Sequence, residues 1–189
     1  MLNSASFGSH TKRDRIIFVA VRNDIGVEFK YPAPLFENES EYLTVGDALK
    51  LIDYTIDDAD NRPMNHDKKT VTRFAYVKEG ENLAQIVDQL PKDLKISKFY
   101  SRGSTMRLDS KKPAPTLVPG HSNFPIHPFE NRCITVREAA TITGFPIDYK
   151  FFGNHTKRCE QVGNAVPPAL STAIAKECKK VLDEYYKKR

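Results

Sequence analysis

The chain has 189 residues and a formal net charge of +5, with 28% charged and 40% hydrophobic residues, enough for one large or two small domains. No apolar run approaches the ~18 residues of a membrane span, and the first ten residues lack the hydrophobic stretch of a secretion signal. Cys133, Cys159 and Cys178 stand too far apart for a disulfide framework or a zinc site, so the expectation is a protein of the reducing cytoplasm, with no membrane and no bound metal.

In chain order, Arg15 and Arg22 flank six consecutive apolar residues, 16–21, mostly β-branched or aromatic. They predict a strand buried on both faces. A loop rich in Pro and acids follows, and Thr44 then caps a short helix reaching about residue 53. Residues 54–69 are polar and irregular, a linker into a second lobe. Leu83, Ile86, Val87 and Leu90 mark one face of a helix that Pro91 stops.

Charge is uneven along the chain. Acids dominate from Glu37 to Asp60, whereas from Lys92 to Lys112 the cations Lys92, Lys95, Lys98, Arg102, Arg107, Lys111 and Lys112 face only Asp93 and Asp109. A basic stretch holding Tyr100 and hydroxyl residues can follow a phosphate backbone, and it can equally be an ordinary solvated surface. Residues 115–118 predict a short strand and Pro119-Gly120 a turn. Thr135 and Glu138 have capping-box spacing, so a helix should start there and stop at Gly144. Gly163-Asn164 predicts a tight turn into a last helix from about Pro167 to Tyr185 or beyond, with Leu170, Ile174, Val181, Leu182 and Tyr185 on one stripe. The N-terminus of that helix should favour an anionic group.

Three blocks, in order, resemble the C-terminal signature of DNA cytosine-5 methyltransferases. Thr11-Lys12-Arg13-Asp14-Arg15 before the apolar run resembles motif VIII, with Thr11 where that family carries Gln and His10 where it carries Pro. Arg107-Leu108-Asp109 with Lys112-Pro113-Ala114-Pro115-Thr116-Leu117 resembles motif IX. The third block is the strongest: His127-Pro128, Arg132, residues 135–149 and Gln161-Val162-Gly163-Asn164-Ala165-Val166-Pro167-Pro168 resemble motif X and its approach.

The resemblance implies an α/β fold, the C-terminal part of a methyltransferase Rossmann-like fold with a small mixed target-recognition lobe. Residues 1–55 would end the catalytic domain, 56–126 form the recognition lobe, and 127–189 return to the catalytic domain. It also implies that Arg13 and Arg15 serve the target cytosine, Arg15 donating to the base, and that Asn164, Ala165 and Val166 hold the amino-acid end of S-adenosylmethionine. Double-stranded DNA would meet Arg73, Lys98, Arg102, Ser104 and Arg107, with Asn82 also available, and Arg, Lys and Asn are residue types that reach base edges.

The family's reaction needs a thiolate on C6 of the cytosine, a carboxyl group at the ring nitrogen and a glycine-rich donor turn. In this sequence no cysteine follows a proline, and the nine glycines never stand as Gly-x-Gly. The expectation is therefore a methyltransferase part of a restriction–modification system, inactive alone, that works with a catalytic subunit carrying motifs I to VII. It could be a split subunit or the C-terminal piece of a longer enzyme; the alternative is an inactive remnant that only binds DNA.

Overall fold

The computed structural model describes residues 1–97 and 102–188, so Lys98 and Tyr100 of the basic stretch lie outside the described residues. The fold is built around helix α3 (Val136–Thr143), every residue of which is buried. Its start and stop are those the sequence predicts. The Glu138 N–H donates to the Thr135 hydroxyl, the Thr135 N–H donates to the Glu138 carboxylate, and Gly144 ends the helix at φ 95°.

Packed on α3 are α1 (Val45–Leu49) and α4 (His155–Asn164), while α2 (Lys68–Phe74) lies against the 3-10 turn Lys92–Leu94 and α5 (Pro168–Lys187) against the 3-10 turn Ser4–Phe7. The α1 cap is as expected, Thr44 and Asp47 exchanging hydrogen bonds. Strand structure among the described residues is one antiparallel pair, β1 (Leu2–Asn3) with β2 (Asp14–Arg15), Leu2 opposite Arg15. The chain thus mixes helix and strand as expected, with most described residues helical or irregular and a small strand pair.

One hydrophobic core joins Leu49, Phe74, Leu83, Ile86, Leu108, Ile126, Ile134, Ile142 and Val162. Each such Leu or Ile contributes roughly 1.5–3 kcal/mol by its burial. The core runs unbroken across the boundary expected at 126/127, where Ile126 bridges both Arg107 and Cys133.

Several local expectations are corrected. Residues 16–21 form no strand: their exposure alternates, with Ile16 66% and Phe18 91% exposed and Ile17, Val19 and Val21 half-buried. That two-residue period is extended chain, but no second strand flanks it among the described residues. Residues 83–90 bury the predicted face as two 3-10 turns, Leu83–Gln85 and Val87–Gln89, rather than one α-helix; an eight-residue stretch ended by Pro91 is short for independent helix. Residues 115–118 form no strand, though Leu117 is buried. In α5, Leu182 is 46% exposed while Leu170 and Val181 carry the burial.

The segment read as a linker, 54–69, is instead fastened to α3. Asp58 and Asp60 accept from Arg137 at 2.7 and 3.4 Å, Asp60 also from Arg158, and the Tyr54 hydroxyl donates to Glu138 at 3.1 Å. Asp67 then caps α2. Glu138, fully buried, is gripped by both Nη atoms of Arg132 at 2.8–2.9 Å. Buried ion pairs of this kind fix which surfaces meet more than they add stability.

Arg107, expected on DNA, is 5% exposed and closes the lobe from inside. Its guanidinium donates to the carbonyls of Phe74 (2.7 Å), Val77 (2.6 Å), His127 (2.6 Å) and Glu130 (2.8 Å) and to Asn131 Oδ1 (2.7 Å). No such hub can turn to a base edge without abandoning buried carbonyls. Arg107→Met, which keeps the length and removes the donors, should destabilise the chain by roughly 3 kcal/mol or more, read as a lowered denaturant midpoint.

Burial holds His10, His66 and His127 below the ordinary imidazole value of 6.5. The unfolded chain then binds more protons in acid, so this stability is complete above 6.5 and is lost as pH falls through the folded values. Burial also pushes the Glu138 carboxyl up, but the Arg132 fork and the Thr135 N–H outweigh it and hold it below 4.5, so its contribution is lost at still lower pH. The denaturant midpoint should be level between about pH 7 and 8, decline below about 6.5 and fall more steeply below about 4.5. It should fall again above about 9, where the Cys133 and Cys159 thiols ionise in the unfolded chain but stay protonated in the fold.

Candidate functional site

Residues 10–15 form the spine of the site. They run beside 114–116: the Lys12 N–H donates to Ala114 O (2.8 Å), the Ala114 N–H to His10 O (2.8 Å), and the Thr116 hydroxyl to Lys12 O (2.9 Å). Side chains alternate along extended backbone, so Thr11, Arg13 and Arg15 share a face. Thr11, in the place of the family's Gln, is 1% exposed, its hydroxyl 3.1 and 3.0 Å from the carbonyls of Ala114 and Pro115. It locks the strip to the Pro-rich loop of the second motif.

The two arginines then part company. Arg13 is 6% exposed, its Nη1 donating to Leu117 O at 3.0 Å and its Nη2 to Gly163 O at 2.8 Å. Arg13 is therefore turned into the protein and not offered to a base, contrary to the expectation from the motif. Arg15 is half-exposed, with one Nη on Asp14 O at 2.7 Å, and has donors left for a ligand.

The Gly163-Asn164 pair closes α4 and does not form the tight turn expected of it. Glycine is required at 163 for another reason: a Cβ there would come within 2.4 Å of Pro119 Cα. Its absence lets α4 lie directly on the 117–119 segment. Helix α4 itself was not foreseen; the signal was Asn154, which accepts from the Lys157 N–H and caps it.

Beyond α4 the chain passes through Ala165 (ψ 144°) to Pro167 and Pro168, leaving Asn164 and Val166 exposed and Ala165 half-buried. Neither proline has an N–H, so the first turn of α5 keeps free backbone donors at Ala169 and Leu170.

Of the residues expected to meet DNA, Arg73 donates from Nε to Leu94 O (2.9 Å), and Arg73 and Ser104 line a cavity of about 500 Å³ with His66, Thr70 and Phe74. Arg102 is exposed at the entrance of the 3-10 turn Gly103–Thr105. Asn82 is occupied, its side chain accepting from the Ala84 N–H at 3.0 Å. His66 had no distinguishing signal in the sequence. Its Nε2 accepts from the Cys133 N–H at 3.2 Å, which leaves the ring proton of the neutral form on Nδ1, in the cavity wall.

Burial pushes the Cys133 thiol up to about 12 and the Cys159 thiol up to about 11, so neither is a thiolate near neutral pH. Among the described residues no His, Cys, Asp or Glu group could hold a metal ion, and no helix is long and apolar enough to cross a membrane.

The family model for C-5 cytosine-specific DNA methylase matches residues 1–180. The chain is 35% identical over 182 residues to type II methyltransferase M1.HphI of Haemophilus parahaemolyticus, covering 93% of this chain and 45% of that one. It is 38% identical over 124 residues to type II methyltransferase M.AquIB of Picosynechococcus sp., covering 59% of this chain and 80% of that protein. A solved Escherichia coli structure, a candidate prophage-encoded DNA modification methyltransferase, shares the fold with a TM-score of 0.72 at 23% identity, over 96% of this chain and 59% of that one. The chain spans about half the length of the first relatives it matches, 45% of M1.HphI and 50% of M.NgoFVII of Neisseria gonorrhoeae. On the match over residues 1–180, it belongs to the C-5 cytosine-specific DNA methylase family.

Proposed function

We propose that this chain is the DNA-recognition part of a restriction–modification cytosine-5 methyltransferase, and that it completes a site whose catalytic thiol and carboxyl group come from a further polypeptide segment carrying motifs I to VII. The observation that carries the reading is the chain beyond Arg15. The base-holding arginine runs straight into extended backbone with no neighbouring strand among the described residues and with Ile16 and Phe18 exposed. Val19, Val21 and Phe29 line one cavity of about 430 Å³ together with Cys178, Val181 and Tyr185 of α5. Apolar backbone without a neighbouring strand is a template for another strand, placed here beside the site.

Relatives carry such a stretch in proteins of different length: 124 aligned residues make up 80% of M.AquIB, whereas 182 make up 45% of M1.HphI.

Within the completed site Arg15 would hold the target cytosine, which must leave the duplex to be reached. S-adenosylmethionine supplies the methyl group, and the residues present suit its amino-acid end. Asn164 offers an exposed amide, Ala165 and Val166 an accessible backbone, and Arg13 a buried positive charge whose hydrogen-bond partners are both neutral carbonyls. Arg102, Ser104 and Arg73, with Lys98, would face the duplex.

Labelled methyl transfer to cytosine in DNA should appear when this chain is combined with the motif I–VII polypeptide, and disappear with Arg15→Ala. DNA binding without transfer in that mixture would instead identify a binding remnant. Arg102→Ala should weaken binding by about 1–3 kcal/mol at one base position if it reads a base edge. A uniform loss over all sequences would assign it to a phosphate.

A further inference from the structure

The geometry points to Arg13 as a positioning residue that ties the methyl-donor turn to the base-holding arginine. Three segments far apart in sequence meet on its guanidinium. It rises from the 10–15 strip, grips the Leu117 carbonyl with Nη1 (3.0 Å) and grips the Gly163 carbonyl with Nη2 (2.8 Å). Gly163 is pressed so closely on Pro119 that a Cβ would fall 2.4 Å from its Cα, so the fork and the packing contact hold the same two backbones together. The next residues after the gripped carbonyl are Asn164, Ala165 and Val166. The next residue on the same face of the strip is Arg15, about 7 Å along extended chain.

Arg13 is 6% exposed, and its Nε has no hydrogen-bond partner in the protein. Its charge is answered by two carbonyl dipoles and by no carboxylate among its hydrogen-bond partners. A guanidinium so placed does two things. It fixes the last turn of α4, from which the donor-binding residues depart, and it keeps a positive field beside them for an anionic group. Lysine could carry the charge but, as a point donor, could not span both carbonyls in one plane.

The inference rests on the donor-binding reading of residues 164–166, and its test separates the two. Arg13→Lys and Arg13→Met are made in the assembly of this chain with the motif I–VII polypeptide. The KM for S-adenosylmethionine should rise roughly tenfold or more, more for Met than for Lys, while the KM for DNA stays within about twofold. An unchanged donor KM, or donor and DNA KM rising in parallel, would overturn the assignment.

Amide hydrogen exchange on this chain alone reads the same linkage without any methyl transfer. The Ala165 N–H, bonded to Val162 O at 3.3 Å, should lose protection in both variants while the amides of α3 keep theirs. Unchanged Ala165 exchange refutes the positioning role even if the wild-type assembly proves inactive, in which case it is the donor-binding reading that fails.

Discussion

The middle of the chain closes on one cation, Arg107. Arg107 takes the carbonyls of Phe74 and Val77, at and just after the end of α2, and those of His127 and Glu130 on the loop leading to α3. The last carbonyls of a helix have no intrahelical donor, and an irregular loop buried beside one adds further acceptors without partners. A planar group with five N–H donors is the side chain able to answer both at once. Arg107 also bridges through its backbone to Ile126, so the same residue ties this clamp to the chain entering α3.

A second set of charges does the same for α3. Arg137 and Glu138 are neighbours on a helix with no solvent-facing side, and each is met by a partner from elsewhere: Asp58 and Asp60 for the first, Arg132 and Tyr54 for the second. The acidic run between 37 and 60 and the later arginines, which look like opposed surface patches in the sequence, thus meet in part inside the protein. Pairing of this sort discriminates between packings, since a wrong docking would strand a buried charge.

What the sequence discloses follows from the range of the forces involved. Caps are local: Thr44 with Asp47 and Thr135 with Glu138 are three residues apart, and both form as expected. The long stripe of α5 is nearly as legible, with Pro168 to Lys187 matching the predicted span. Residues 16–21 failed as a strand because a strand needs a neighbour, which composition cannot supply. Arg13 was assigned to the target base by its place in the motif and Arg107 to DNA by its place in the basic stretch, while the carbonyls that claim them lie 104 and 150 positions away for Arg13 and 20 to 33 for Arg107. Gly163 was read as a turn because glycine usually signals one; its true constraint, the body of Pro119, is a tertiary contact.

The unbroken core at 126/127 bears on where this chain could be divided. A cut at that boundary would carry Leu108 and Ile126 away from Ile134, with which they share one core. It would also leave Arg107 without the His127, Glu130 and Asn131 oxygens that receive it. A piece of this chain that folds by itself therefore cannot end between Ile126 and His127, because the clamp and the oxygens that receive it lie on opposite sides of that point.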